Sequence, residues 1–250
     1  MSLIELSKVF SEYGIYPQNH FTSDKSLSVY EKYFPNDPYN NDLKIILEKQ
    51  PLTSKFGADL PWWGVNYFNH SPGKRIMAIS QDTNAREAGS IALHSHLMGK
   101  NNLDKEISVW KGMKTFKEFF DNFLSNYNYL YVTDAGKVRN PGNGKIDKEK
   151  SAKLLFKEIT ICNPDLIIVF GINPTRILNL TYPSEENISK EIKYADIPNL
   201  NIPIERNGKK YVISPFLTGQ GRYGKDRSRE DFTNGYNKAI ELIKRTLYEK

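Results

Sequence analysis

A single cysteine, Cys162, is all the thiol chemistry that the chain carries. One thiol cannot close an internal disulfide, complete a cysteine zinc site or hold an iron–sulfur cluster, because each needs several sulfurs. Cys162 is therefore expected to be a small buried hydrophobe at a helix end. Histidine is scarce too, at four residues. His94 and His96 in "LHSHL" are two apart, which sends their side chains to different faces of a helix, and no cysteine or third histidine clusters beside them. No metal and no cofactor is expected. Long apolar runs are also missing, none approaching the roughly 18 residues needed to cross a bilayer. The opening "MSLIELSKVFSEYG" has neither the charged start nor the apolar centre of a signal peptide. The expectation is a soluble, cytoplasmic monomer with no membrane partner.

What is present suits one globular domain over 1–250, since 39% of the residues are hydrophobic and 26% charged. Lys and Arg (35) exceed Asp and Glu (29), giving a net charge of +6. That balance suits a polyanionic partner without requiring one. Four apolar runs predict strands near 75–80 ("RIMAIS"), 128–133 ("NYLYVT"), 165–170 ("DLIIVF") and 210–214 ("KYVIS"). Their nearly continuous apolar character fits a parallel sheet covered on both faces. Between them lie helical patterns. Asp147 can cap a helix in which Leu154, Leu155, Ile159 and Cys162 recur on one face. The last helix carries the stripe Phe232, Tyr236, Ala239, Ile240, Ile243 and Leu247, with Ser228 and Asp231 spaced as a capping box. The fold class expected is α/β, a three-layer α/β/α sandwich with a mainly parallel four-stranded sheet. Residues 1–70 are expected as helices and aromatic-rich loops packed on that core, and 182–208 as an irregular insertion.

Open α/β sheets bind ligands beyond the carboxyl ends of their strands. There the chain reads "SQDTN", "DAGKVRNPGN", "GINPTR" and "SPFLTGQGR", all polar and rich in Gly or Pro. Ser80-Gln81-Asp82-Thr83-Asn84-Ala85 resembles the first motif of the uracil-DNA glycosylase superfamily, G-Q-D-P-Y-H in one branch and G-I-N-P-G in another. Residues 129–143 are similar to that superfamily's "TN-VKCRPPGN" segment, and "LLFKEITICNPDLIIVFGINPTRIL" to the helix, strand and turn that follow it. Ile213-Ser214-Pro215-Phe216-Leu217 stands where the family has H-P-S and the loop that enters DNA. The match covers about 75–222 in the family's order. The departures are specific. Val138 replaces the cluster cysteine, Ser214 the histidine that helps stabilise the departing base, and Thr83 the motif proline. Asp134 occupies the place of the asparagine that reads uracil, and Asn84 that of the tyrosine that bars substituents at C5.

The resemblance implies hydrolysis of an N-glycosidic bond in double- or single-stranded DNA. Positive charge builds on the sugar as the base leaves, so a carboxylate beneath the sugar stabilises the cation and orients water. Asp82 is the candidate, with a helix cap or Asx turn as the bland alternative. Gln81 is implied to offer its backbone N–H to a base oxygen, and Ser214 stands at the side of the departing base. The target must be flipped out and read along its pairing edge. An un-ionised Asp134 accepts from the cytosine N4 amino group and donates to N3, a state that burial favours. A structural carboxylate paired with Lys137 or Arg139 is the alternative. Asn84 opens space beside C5, so the two positions together favour a 5-modified cytosine. Glycosylases that remove glucosylated hydroxymethylcytosine from phage genomes as a bacterial defence are a precedent for such a base.

Leu217 is either a wedge that fills the gap left by the flipped base or an ordinary buried leucine. Arg222, Lys225 and Arg227, with Arg229, either neutralise phosphates or line a solvated loop. Trp62 and Trp63 in "LPWWG" either stack on a base or plug the core. Asn173 and Pro174 read as the start of a helix. Three other functions stay open: a conventional uracil glycosylase in base excision repair, a catalytically silent DNA-binding relative, and an unrelated small-molecule enzyme, the last disfavoured because no glycine-rich phosphate loop follows the first strand.

Overall fold

The computed structural model describes residues 3–15, 31, 34–48, 57–69, 72–81, 93–94, 96–99, 113–140, 142, 144–180, 196, 199–217 and 229–248. In chain order its elements are α1 (Leu3–Ser11), α2 (Pro38–Leu47), β1 (Gly57–Ala58), β2 (Trp62–Trp63), β3 (Ile76–Ser80), α3 (Met113–Asp121), β4 (Leu130–Asp134) and β5 (Val138–Arg139). They continue with α4 (Lys148–Cys162), β6 (Leu166–Phe170), α5 (Ile172–Asn179), β7 (Ile204–Arg206), β8 (Lys209–Ser214) and α6 (Arg229–Tyr248).

The four apolar runs become β3, β4, β6 and β8. These pair in parallel, and their residues are buried almost without alternation. The α/β class and the mainly parallel sheet are as expected, but the sheet has six strands in the order β2-β4-β3-β6-β8-β7. Both extra strands are antiparallel and lie at the edges. β2 is the Trp62-Trp63 pair, bonded to Val132 and Tyr131. β7 returns on β8 through Asn207 and Gly208, whose φ values of 48° and 67° are those of a tight hairpin turn. The expected irregular insertion of 182–208 therefore ends in a strand and a turn. A second, two-stranded sheet pairs β1 with β5, and there Val138 lies buried opposite Ala58.

Register decides which helix covers which face. Tyr131, Met77, Ile167 and Tyr211 lie in one row across the sheet, and Thr133 shares their face because side chains alternate along a strand. Glu158 of α4 accepts hydrogen bonds from the hydroxyls of Tyr131 and Thr133, which places α4 on that face. Phe170 points the other way. Phe116, Phe119 and Phe120 of α3 pack on its ring at 4.8, 5.2 and 6.2 Å, and Phe119 meets Tyr236 of α6 at 5.4 Å. α1 lies against α2 and α4. Helices thus cover both faces, which explains the uninterrupted apolar strands. As the sequence suggests, Asp147 caps α4, accepting from the Lys150 amide at 3.0 Å, and Cys162 ends that helix fully buried.

The tryptophans are core plugs. Trp62 is 1% and Trp63 0% exposed, so neither offers a face for a base to stack on. Buried indoles need acceptors. Trp63 donates to Asp42 at 2.9 Å and Trp62 to Nδ1 of His94 at 3.0 Å. With Nδ1 accepting, the imidazole carries its proton on Nε2 and donates it to Asp37 Oδ2 at 3.1 Å. The other oxygen of Asp37 accepts from the Tyr39 amide at 3.0 Å and caps α2. One carboxylate therefore ties α2, the His94 segment and β2 together. Asp37→Ala should lose the cap, about 0.5–2 kcal/mol, and leave a buried N–H unmatched, about 1–3 kcal/mol. Urea denaturation should show that loss, with Asp37→Asn recovering only the cap, because an amide keeps one acceptor for the Tyr39 N–H and turns a donor toward the Nε2–H of His94.

Candidate functional site

Parallel register brings the carboxyl ends of the four central strands into one row. Ser80 pairs with Asp134, Ile79 with Val169, and Phe170 with Ser214, so Asp134, Ser80, Phe170 and Ser214 follow one another across the sheet. Backbone bonds extend the pairing past the strands: Ala135 N–H donates to Ser80 O at 2.9 Å, Gly136 N–H to Gln81 O at 2.8 Å, and Gly171 N–H to Ser214 O at 2.8 Å. From β3 the chain goes to β4 on one side and then crosses to β6 on the other. That reversal between β3 and β6 is where an open α/β sheet leaves a crevice for a ligand.

Gln81 and Asn173 meet across this point, the Asn173 side-chain amide donating to Gln81 Oε1 at 3.2 Å. Asn173 is exposed and Gln81 half-buried, so the pair keeps donors and acceptors turned to solvent. Gly171, which precedes α5, has φ 91° and ψ 178°, a backbone state that side chains rarely adopt. A β-carbon there would stand 3.3 Å from the β-carbon of Phe216. Glycine thus lets the segment after β8 lie close over the end of β6. Phe216 is half-buried at that edge.

The structure separates the expected site residues. Gln81 and the half-buried Asp134 come together at the ends of adjacent strands. Ser214 shares the face of Phe170, is 0% exposed and donates its hydroxyl to Pro215 O at 3.2 Å. Leu217, at 1% exposure, stands as the ordinary buried leucine of its two readings, and the half-buried side chain beside it is Phe216. Asp82, Asn84, Arg222, Lys225 and Arg227 lie outside the described residues. Lys137, weighed as a partner for Asp134, is itself fully buried, its ammonium bonded to Glu158 and Thr133. Arg139 donates to Gly144 O at 3.1 Å.

Sequence reasoning missed Glu158. It sits among Leu154, Leu155, Ile159 and Cys162 on the buried side of α4, and a carboxylate inside an apolar stripe was the available signal. Its surroundings also fix the state of Cys162, whose thiol is pushed well up by burial, with the charge of Glu158 adding to the effect. Among the described residues no group of three or more His, Cys, Asp or Glu is placed to hold a metal ion, and no helix is long and apolar enough to cross a membrane.

No protein-family model matches the chain, and no curated protein matches it in sequence. Fold and site together define a class: an α/β protein with a mainly parallel sheet and polar side chains at the carboxyl ends of its strands. Two outcomes test this geometry. Gly171→Ala should cost about 1–3 kcal/mol through forced backbone strain, read by chemical denaturation. Cys162, as a buried and protonated thiol, should react with iodoacetamide at neutral pH only after the protein is unfolded.

Proposed function

We propose that the chain is a DNA glycosylase that hydrolyses the N-glycosidic bond of a flipped-out, 5-modified cytosine and leaves an abasic site. The observation that supports this most is the pairing of Ser80 with Asp134, prolonged by the Gly136–Gln81 bond. It makes the segment that begins "SQD" and the carboxyl group at 134 leave the sheet side by side. In the proposed reaction the bond from the sugar C1′ to the base nitrogen breaks, the electron pair leaving with the base. Water adds to C1′, and its proton ends on the departed base anion, so that the products are the abasic sugar and the neutral base. Asp82, the residue after Gln81, stabilises the sugar cation and orients that water. Asp134, un-ionised, accepts from N4 and donates to N3, and the half-buried Phe216 ring supplies an aromatic surface at the same edge.

A phage genome rich in glucosylated hydroxymethylcytosine is the substrate this pocket reading suits, which would make the protein a defence enzyme. The burial of Ser214, with no histidine in its place, favours one competing reading, a silent DNA-binding relative.

Duplexes carrying uracil, cytosine, 5-hydroxymethylcytosine or its glucoside separate these possibilities when abasic sites are scored by alkaline cleavage. The glucosylated duplex should be cut. Asp82→Ala should lose about 100-fold or more of the single-turnover rate while holding DNA affinity within a few fold. Asp134→Asn should move preference toward uracil by about 1–3 kcal/mol for each mispaired contact. Release of uracil alone would replace the proposal with a plain uracil enzyme, and binding without release on any duplex would leave only the silent relative.

A further inference from the structure

Lys137 and Glu158 form the most deeply buried charged contact among the described ion pairs, both side chains at 0% exposure. Their bonds make a closed figure. The Lys137 ammonium donates to Glu158 and, at 2.5 Å, to Thr133 Oγ1. The Thr133 hydroxyl has one proton, and it goes to Glu158 Oε1 at 3.1 Å. Tyr131 donates to the same oxygen at 2.7 Å. Ser151 Oγ accepts from the backbone N–H groups of Lys137 at 3.2 Å and Val138 at 2.9 Å, so main chain as well as side chain is fastened to α4.

As a source of stability this arrangement is poor. Desolvating two charges largely cancels their attraction, and an apolar pair of the same volume commonly packs as well. What an apolar pair lacks is direction. Thr133 immediately precedes Asp134 and Lys137 follows three residues later, so the bonds grip the chain on both sides of the proposed reading residue. Between the grips, Ala135 and Gly136 donate their amides to Ser80 and Gln81. A shift of the Thr133–Lys137 turn would therefore move Asp134 and the start of the "SQD" segment together.

We infer that Lys137, Glu158 and Thr133 are positioning residues: a buried clasp that fixes Asp134 against Gln81 and so sets which base edge the site accepts. The inference rests on the reading of Asp134 given above.

Two variants test it, the nearly isosteric Thr133→Val and the apolar double variant Lys137→Met/Glu158→Leu. In both, amide hydrogen exchange at Ala135 and Gly136 should speed up by about 10-fold relative to the rest of the sheet. The turnover rate kcat on the preferred base should fall by about 10- to 100-fold with KM nearly unchanged, and discrimination between cytosine-type and uracil duplexes should narrow. Thr133→Ser, which keeps the hydroxyl, should restore all three. A purely structural pair would instead lower melting temperature evenly, with kcat, selectivity and those two amides unmoved, and that result in folded protein overturns the inference. If the double variant fails to fold, Thr133→Val alone decides. If wild-type protein releases no base from any duplex, the glycosylase reading fails, and exchange at Ala135 and Gly136 still tests the clasp by itself.

Discussion

Because β4, β3, β6 and β8 run parallel, segments that begin at Ser80, Asp134, Phe170 and Ser214 all leave the sheet along the same edge. An antiparallel sheet would send alternate segments to opposite edges and scatter these residues. Parallel pairing in turn demands long crossover connections and helices on both faces. The polar edge is thus bought with full burial of the strands, and the aromatic layer of α3 on Phe170 and the anchoring of α4 on Tyr131 supply it. Everything proposed for the site depends on this one constraint of direction and register.

Among the described residues, two of the polar clusters set in the apolar core are closed. On the N-terminal side, Trp62, His94 and Asp37 hand hydrogen bonds along in one direction, ending in the cap of α2. On the other side of β4, Lys137, Thr133, Tyr131 and Glu158 saturate one another. Unmatched groups at such depth would cost more than the bonds return, so polar clusters persist in a core only when they are complete. They differ in what they join. The first knits the short edge strand β2 and the helical layer to the sheet. The second joins a strand end to the helix behind it, next to the residues on which selectivity is proposed to turn.

The central strands were legible because a strand buried on both faces has to be apolar over five or six residues, which composition alone reveals. The edge strands were not, since two or three residues carry no periodicity. The Asn207-Gly208 pair was nevertheless a hairpin signal standing in the open. Site residues were legible only by position along the chain. That Gln81 and Asp134 would stand together follows from their strand ends, but whether a terminal side chain turns inward depends on parity and register. Ser214 and Leu217 are buried while Phe216 is half-buried, a difference that the order of motifs along the chain does not encode. Glu158 was visible as a carboxylate on an apolar stripe, yet its partner lies 21 residues away, a contact that no local pattern encodes.

Residues at this edge therefore divide by how they are held. Gln81, Asp134 and Asn173 are exposed or half-buried, and the first two owe their places to main-chain bonds that any side chain allows. Substitution there alters chemistry with little stability at stake, since surface changes away from caps and cores usually stay within about 0.5 kcal/mol. Glu158, Lys137, Ser214 and Leu217 are fully or almost fully enclosed, so a change there disturbs packing or strands a charge. A scaffold with this division can exchange its reading groups while its supports stay fixed. Under the proposed function, an Asp at 134 in place of a neutral amide would change what is read, on a turn that the proposed clasp holds.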